Sequence, residues 1–255
     1  MNEDIGQILE NWPFDPENSI RKVIDSSGIE KIQVRVDQGA FQGVLQMNLD
    51  GRPDGRKPHG EAFAFDFFEE SHQKVVEKNG STEAFQLSED ECQELFDESQ
   101  RIYKRYVFLL QIQDYKRVVR DTEQNMELFR FVNAYAEREE DRGNLEKWWP
   151  YIIRIHATAL ASQLADDEKF ERALKILSAS RQRIETLDPV DAEEFHAERE
   201  RSVEALDELA HQISGRKPLS ARQQIEKKLE EAITDEAFEQ AAQLRDQLRD
   251  LPDAE

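Results

Sequence analysis

A single cysteine, Cys92, leaves this 255-residue chain unable to form an intramolecular disulfide, and with no Cys-x-x-Cys pair it has no zinc site of that kind. Glycine and proline are sparse, at 10 and 8 residues, so few positions interrupt a helix. Long apolar runs are missing as well: stretches such as Tyr106 to Leu110 fall far short of the roughly twenty residues needed to cross a bilayer. The opening MNEDIGQILENW has neither the basic start nor the apolar run of an export signal, so a cytoplasmic location is expected. Basic residues are outnumbered 34 to 55, and the net charge of −21 repels a polyanion over the molecule as a whole, which disfavours direct nucleic-acid binding. There is no Gly-x-x-x-x-Gly-Lys-[Ser/Thr] loop. His59, His72, His156, His196 and His211 never fall at i and i+4, so neither a metal nor another cofactor is expected.

What is present is the composition of a folded, charged, helix-rich protein, 38% apolar and 35% charged. The expected fold is mainly α with a small N-terminal α+β unit. Its domains are read as residues 1–87, a helical bundle at 88–213, a linker at 214–218 around Gly215-Arg216-Lys217-Pro218, and a two-helix hairpin at 219–255.

From Ile20 onward, short alternating segments containing Ile32, Val34 and Val36, then Val44 to Leu49, predict a three-stranded antiparallel meander. A phenylalanine-rich helix over Glu61 to Lys78 is expected to cover one face of that sheet. Ser88 with Glu91 forms a capping box that opens a helix to Gln111. Further helices are read at Tyr115 to Arg138, Leu145 to Leu164, Glu168 to Leu187 and Ala192 to Ile213.

Asp114-Tyr115-Lys116-Arg117 and Glu168-Lys169-Phe170-Glu171 share a pattern in which an aromatic residue heads the second helix of a hairpin and plugs the gap where two helices meet. These hairpins resemble tetratricopeptide units in style, but they do not recur at that repeat's roughly 34-residue period, and an ordinary bundle explains them as well.

At the C-terminus, Ser220 can cap a helix with Gln223 as its reciprocal partner. Ile225, Leu229 and Ala232 then recur at helical spacing, followed after Thr234-Asp235-Glu236 by Ala237, Ala241, Leu244, Leu248 and Leu251, with Phe238 and Ala242 widening the strip. Helices this short are marginal alone, because ordering costs about 1–2 kcal/mol per residue while each buried apolar side chain contributes at most about 1.5–3 kcal/mol. Such a hairpin needs something to pack on.

Leu229-Glu230-Glu231-Ala232-Ile233, Phe238-Glu239-Gln240-Ala241-Ala242, Leu244-Arg245-Asp246 and Leu251 together resemble the UVR motif. That motif occurs in the excision-repair subunits UvrB and UvrC, in Clp-type unfoldases and in the activator of bacterial protein arginine kinase. The rest of the chain resembles bacterial proteins that end in the same motif, a likeness that implies no activity. The resemblance implies a hairpin that pairs with a like hairpin or docks on a partner. It marks Ile225, Leu229, Ala232, Ile233, Phe238, Ala241, Ala242, Leu244, Arg245, Leu248 and Leu251 as candidate partner-binding residues. The chain departs from the kinase activators in lacking their paired zinc cysteines, and from the repair subunits in lacking helicase or nuclease motifs.

The expected function is therefore that of a non-catalytic adaptor or scaffold, with another protein or a second copy as partner, the latter giving a homodimer. Two alternatives stay open. One is an accessory factor of nucleotide-excision repair that binds UvrB- or UvrC-type subunits. The other is an enzyme with a site near the turn from Arg52 to His59, where Arg52, Arg56 and Lys57 form a candidate anion-binding cluster and the competing reading is a tight structural turn. Trp148-Trp149-Pro150-Tyr151 is either an aromatic recognition patch or packing at a helix start.

Overall fold

The computed structural model describes residues 5–82, 84–219 and 221–250, except the side chains at 221, 223 and 250. The expected cap of Ser220 by Gln223, and Leu251 as the last residue of the seam, lie outside what is described. The chain divides after His211 into two compact units. It is mainly α, with a three-stranded antiparallel sheet near the N-terminus and a two-helix region at the C-terminus.

In the first unit, a short helix α1 (Gly6–Asn11) precedes the meander of β1 (Ile20–Ile24), β2 (Glu30–Gln38) and β3 (Phe41–Asn48), paired in that order. The register sets Ile32 opposite Lys22 and Met47, and Val34 opposite Ile20 and Leu45. Asp25 shapes the first turn by accepting from the backbone N–H groups of Ser27 and Ile29 at 2.8 and 3.0 Å. Gly39 at φ 60° serves the second turn, where a side chain would be strained.

Helices α2 (Ala64–Asn79), α3 (Glu89–Gln111), α4 (Tyr115–Tyr135), α5 (Glu139–Glu146), α6 (Trp149–Asp166), α7 (Phe170–Glu185) and α8 (Glu193–Arg216) follow. The capping box at the head of α3 forms as read: the Ser88 backbone N–H donates to Glu91 at 2.7 Å and the Glu91 N–H to the Ser88 hydroxyl at 3.4 Å.

The apolar face of the sheet is not covered by α2. Ile32 and Leu49 fall in one cluster with Ile102, Tyr106 and Leu109 of α3, Val118 of α4, and Ile155 and Ala159 of α6. Residues on both sides of position 87 thus share a core. Helix α2 instead lies against α3, and its Phe65 meets Phe131 of α4 edge-on at 5.4 Å. It begins at Ala64 and not at Glu61, because the fully buried Glu98 of α3 accepts the N–H groups of Ala64 and Phe65 at 2.8 and 2.9 Å, satisfying two donors of its first turn.

Three further boundaries differ from the sequence reading. α4 stops at Tyr135 because Leu87 pairs with the chain there, its N–H donating to the Tyr135 carbonyl and its carbonyl accepting from Glu137. α6 starts at Trp149, since Pro150 has no N–H for a helix interior and fits the first turn. α8 runs through Ser214, Gly215 and Arg216, three of the five residues assigned to a linker, and stops before Pro218.

In the second unit, α9 (Ala221–Thr234) and α10 (Phe238–Asp250) pair as a hairpin. Among the described residues, no helix is long and apolar enough to cross a membrane.

Candidate interaction site

The hairpin closes on its own seam. Ala232, Ala241 and Leu244 are buried against one another, with Ile225, Leu229 and Ala237 packed beside them. Ala232, Ala241 and Leu244 hold α9 to α10, while Ile225, Leu229 and Ala237 stay half-buried along the same seam. Leu248 and Ala242 are half-buried and Arg245 is exposed. Two large apolar side chains remain uncovered near the turn, Ile233 at 56% and Phe238 at 70% exposure.

The geometry of the turn explains why Phe238 stands where it does. Among the described residues, the hairpins α3/α4, α6/α7 and α9/α10 stop their first helix in the same way. Gln113, Glu168 and Glu236 adopt φ of 59°, 60° and 56°. The next residue then donates its N–H five residues back: Asp114 to Leu109 at 2.9 Å, Lys169 to Leu164 at 2.7 Å, and Ala237 to Ala232 at 2.8 Å. This left-handed stop satisfies a carbonyl that the helix end leaves free. In each hairpin an aromatic residue follows the left-handed residue by two positions: Tyr115, Phe170 and Phe238. Tyr115 and Phe170 are half-buried, and Tyr115 packs on the main apolar cluster. Phe238 occupies the same position without that cover.

The basic turn after β3 is a structural junction. Arg105 of α3, fully buried, makes a two-pronged pair with the equally buried Asp121 of α4 at 2.7 and 2.8 Å, and also donates to the carbonyls of Asn48 and Gly51. Arg117 and Arg120 hold Asp50, whose carboxyl sits below its usual pKa chiefly because Arg117 hydrogen-bonds it. Arg52 is nearly buried, facing Asp54 at 3.3 Å and Glu98 at 3.7 Å. Arg56 and Lys57, by contrast, are exposed. Burial raises the pKa of the Glu98 carboxyl, opposed by its bonds to Phe65 and Ala64. His59 stacks on Phe67 at 4.2 Å and bonds Glu94 at 3.1 Å. His156 is half-buried beside the Thr122 hydroxyl at 2.9 Å, and desolvation lowers its pKa. Among the described residues, no group of three or more His, Cys, Asp or Glu is placed to hold a metal ion.

The C-terminal unit is thus a helical hairpin sealed along one seam, with an apolar tip in solvent. Residues 222–251 match the family model of the UVR domain, described as the UvrB/uvrC motif, so the chain carries a UVR motif near its C-terminus. No curated protein and no solved structure matches the chain.

The distinction between seam and tip was not drawn from the sequence. The signal lies in the shared spacing of Tyr115, Phe170 and Phe238 after their turns.

Proposed function

We propose that the protein is a non-catalytic adaptor whose UVR hairpin docks another protein, or a second copy of this chain, through the tip formed by Phe238 and Ile233. The observation that carries this reading is the 70% exposure of Phe238 at a turn position where the aromatic residues of the two other hairpins are half-buried. Large aromatic side chains anchor interfaces because they remove much apolar area from water at little entropic cost. The seam residues contribute indirectly by fixing the two helices that present the tip. Excision-repair subunits are the first partners to test, given the family that the hairpin matches.

The test is affinity capture by the full chain, by Phe238→Ala with Ile233→Ala, and by a chain lacking residues 219–255. The reading expects one identified protein, or the chain itself, to be retained by the wild type and lost equally from both variants. Retention by the double variant would remove the tip from the interface. Retention by the truncated chain would remove the hairpin.

A further inference from the structure

The first unit contains a site that the hairpin does not explain. Side chains of α3, α4, α5 and α6, with Trp148 and with Glu198 of α8, line a cavity of about 360 Å³. This falls within the range of small-molecule sites, about 300–1,000 Å³. The lining is graded. Tyr106, Phe129 and Ile152 are buried and form an apolar floor, while Tyr103 and Trp148 are 41% and 37% exposed. Tyr103 meets Tyr106 edge-on at 5.5 Å and Tyr151 at 5.7 Å, so three phenol rings make a continuous wall.

Asn125 supplies an independent observation. It lines the cavity and is 1% exposed. Its Nδ2 donates to the Ser99 carbonyl at 3.1 Å, which fixes the orientation of the amide. The Tyr106 phenol bonds the same amide, and Oδ1 is left as a buried acceptor without a partner. A buried carbonyl without a donor is costly, and such groups are rare outside sites that receive a donor from elsewhere. The lining carries one charge of each sign, Lys104 and Glu198, and Glu198 is itself paired with Arg154 at 3.4 Å and Arg201 at 3.1 Å. The chain's net charge of −21 weighs further against an anionic ligand.

We propose that this cavity binds a neutral, planar heteroaromatic small molecule of one or two rings, stacked against Tyr103 and Trp148, whose ring N–H donates to Asn125 Oδ1. Flat rings suit an aromatic wall because offset and edge-on contacts are both available there. The single acceptor on the floor sets which edge of the ring enters first.

The test titrates the full chain with indole and with benzofuran, which has the same two rings but an oxygen where indole has its N–H; binding is read by ligand-observed NMR. Indole is expected to saturate one site and to bind about fivefold or more tightly than benzofuran, the factor expected of one neutral hydrogen bond. Tyr103→Ala, on an exposed side chain, is expected to weaken both probes. Asn125→Leu is expected to abolish the preference for indole, and circular dichroism is recorded alongside because that change also breaks the bond to Ser99. The proposal is overturned if indole fails to saturate, if the wild type binds both probes equally, or if Tyr103→Ala leaves both unchanged. Binding of a tryptophan-bearing peptide without binding of free indole would assign the cavity to a protein segment and overturn it as well.

Discussion

Replacing Asp121 by Asn tests whether the basic turn is held as an architectural joint. In the wild type the carboxylate pairs with Arg105 through both oxygens, at 2.7 and 2.8 Å, and neither side chain reaches solvent. An amide of the same shape keeps the packing but removes the charge and turns one acceptor into a donor facing the guanidinium. Removing one partner of a buried pair costs about 3–5 kcal/mol, since the other charge stays desolvated. For a unit of this size each kcal/mol moves the midpoint by about 2–4 °C, so Tm should fall by roughly 6–20 °C in thermal unfolding followed by circular dichroism. Arg105→Met combined with Asp121→Leu should recover part of the loss, because no unpaired charge is then buried while the Asn48 and Gly51 carbonyls lose their donor. A fall of less than about 2 °C for Asp121→Asn would refute the reasoning. It would mean that the pair is solvated and that the turn is free to serve some other purpose.

Other consequences are open to direct measurement. Desolvation first, and the Arg183 charge second, hold the pKa of His156 below its ordinary 6.5. The unfolded chain therefore takes up that proton before the folded one, and stability should be complete above 6.5 and fall as pH drops toward the folded value. Urea unfolding against pH should show this slope in the wild type and a flatter one in His156→Gln; equal slopes would exclude the histidine as its source. Burial pushes the Cys92 thiol up to about 11, so at mildly alkaline pH it should react with a disulfide reagent only after denaturant is added, and immediate reaction in buffer would contradict its burial. Leu244→Ala should cost about 2–5 kcal/mol. That is enough to strip hydrogen-exchange protection from α9 and α10 while helices before His211 keep theirs, and unchanged protection in the hairpin would deny Leu244 its place in the seam.

Much of this architecture was legible because its causes are local. The alternation of Ile32 and Val34 fixed a buried face for β2, and the Ser88 and Glu91 pair located the start of α3. What the sequence hid arises from contacts between distant residues. α4 ends where Leu87, far back in the chain, bonds to Tyr135 and Glu137, and nothing around Tyr135 announces that partner. The start of α2 is set by Glu98, a carboxylate that reads as one more surface acid until two backbone N–H groups are found on it. Arg52 likewise reads as a free surface cation until Glu98 and Asp54 are found beside it. In the hairpin, the spacing of Ile225, Leu229, Ala232, Ala241 and Leu244 identified one apolar strip, but periodicity does not say whether a strip is satisfied from within or from outside. Here the small alanines let α9 and α10 approach closely and seal it, leaving Phe238 and Ile233 at the end.

Phe238 stands exposed at the tip of the hairpin, and the proposed docking makes it the anchor. Replacing it in the living cell with a photoreactive benzoyl-phenylalanine, with a matched replacement at the exposed Phe41 of the sheet as control, probes this directly. Irradiation should yield a discrete adduct of higher mass at position 238, containing a second copy of the chain or one other protein, and none at position 41. An adduct confined to the chain's own residues, or equal labelling at both positions, would contradict it.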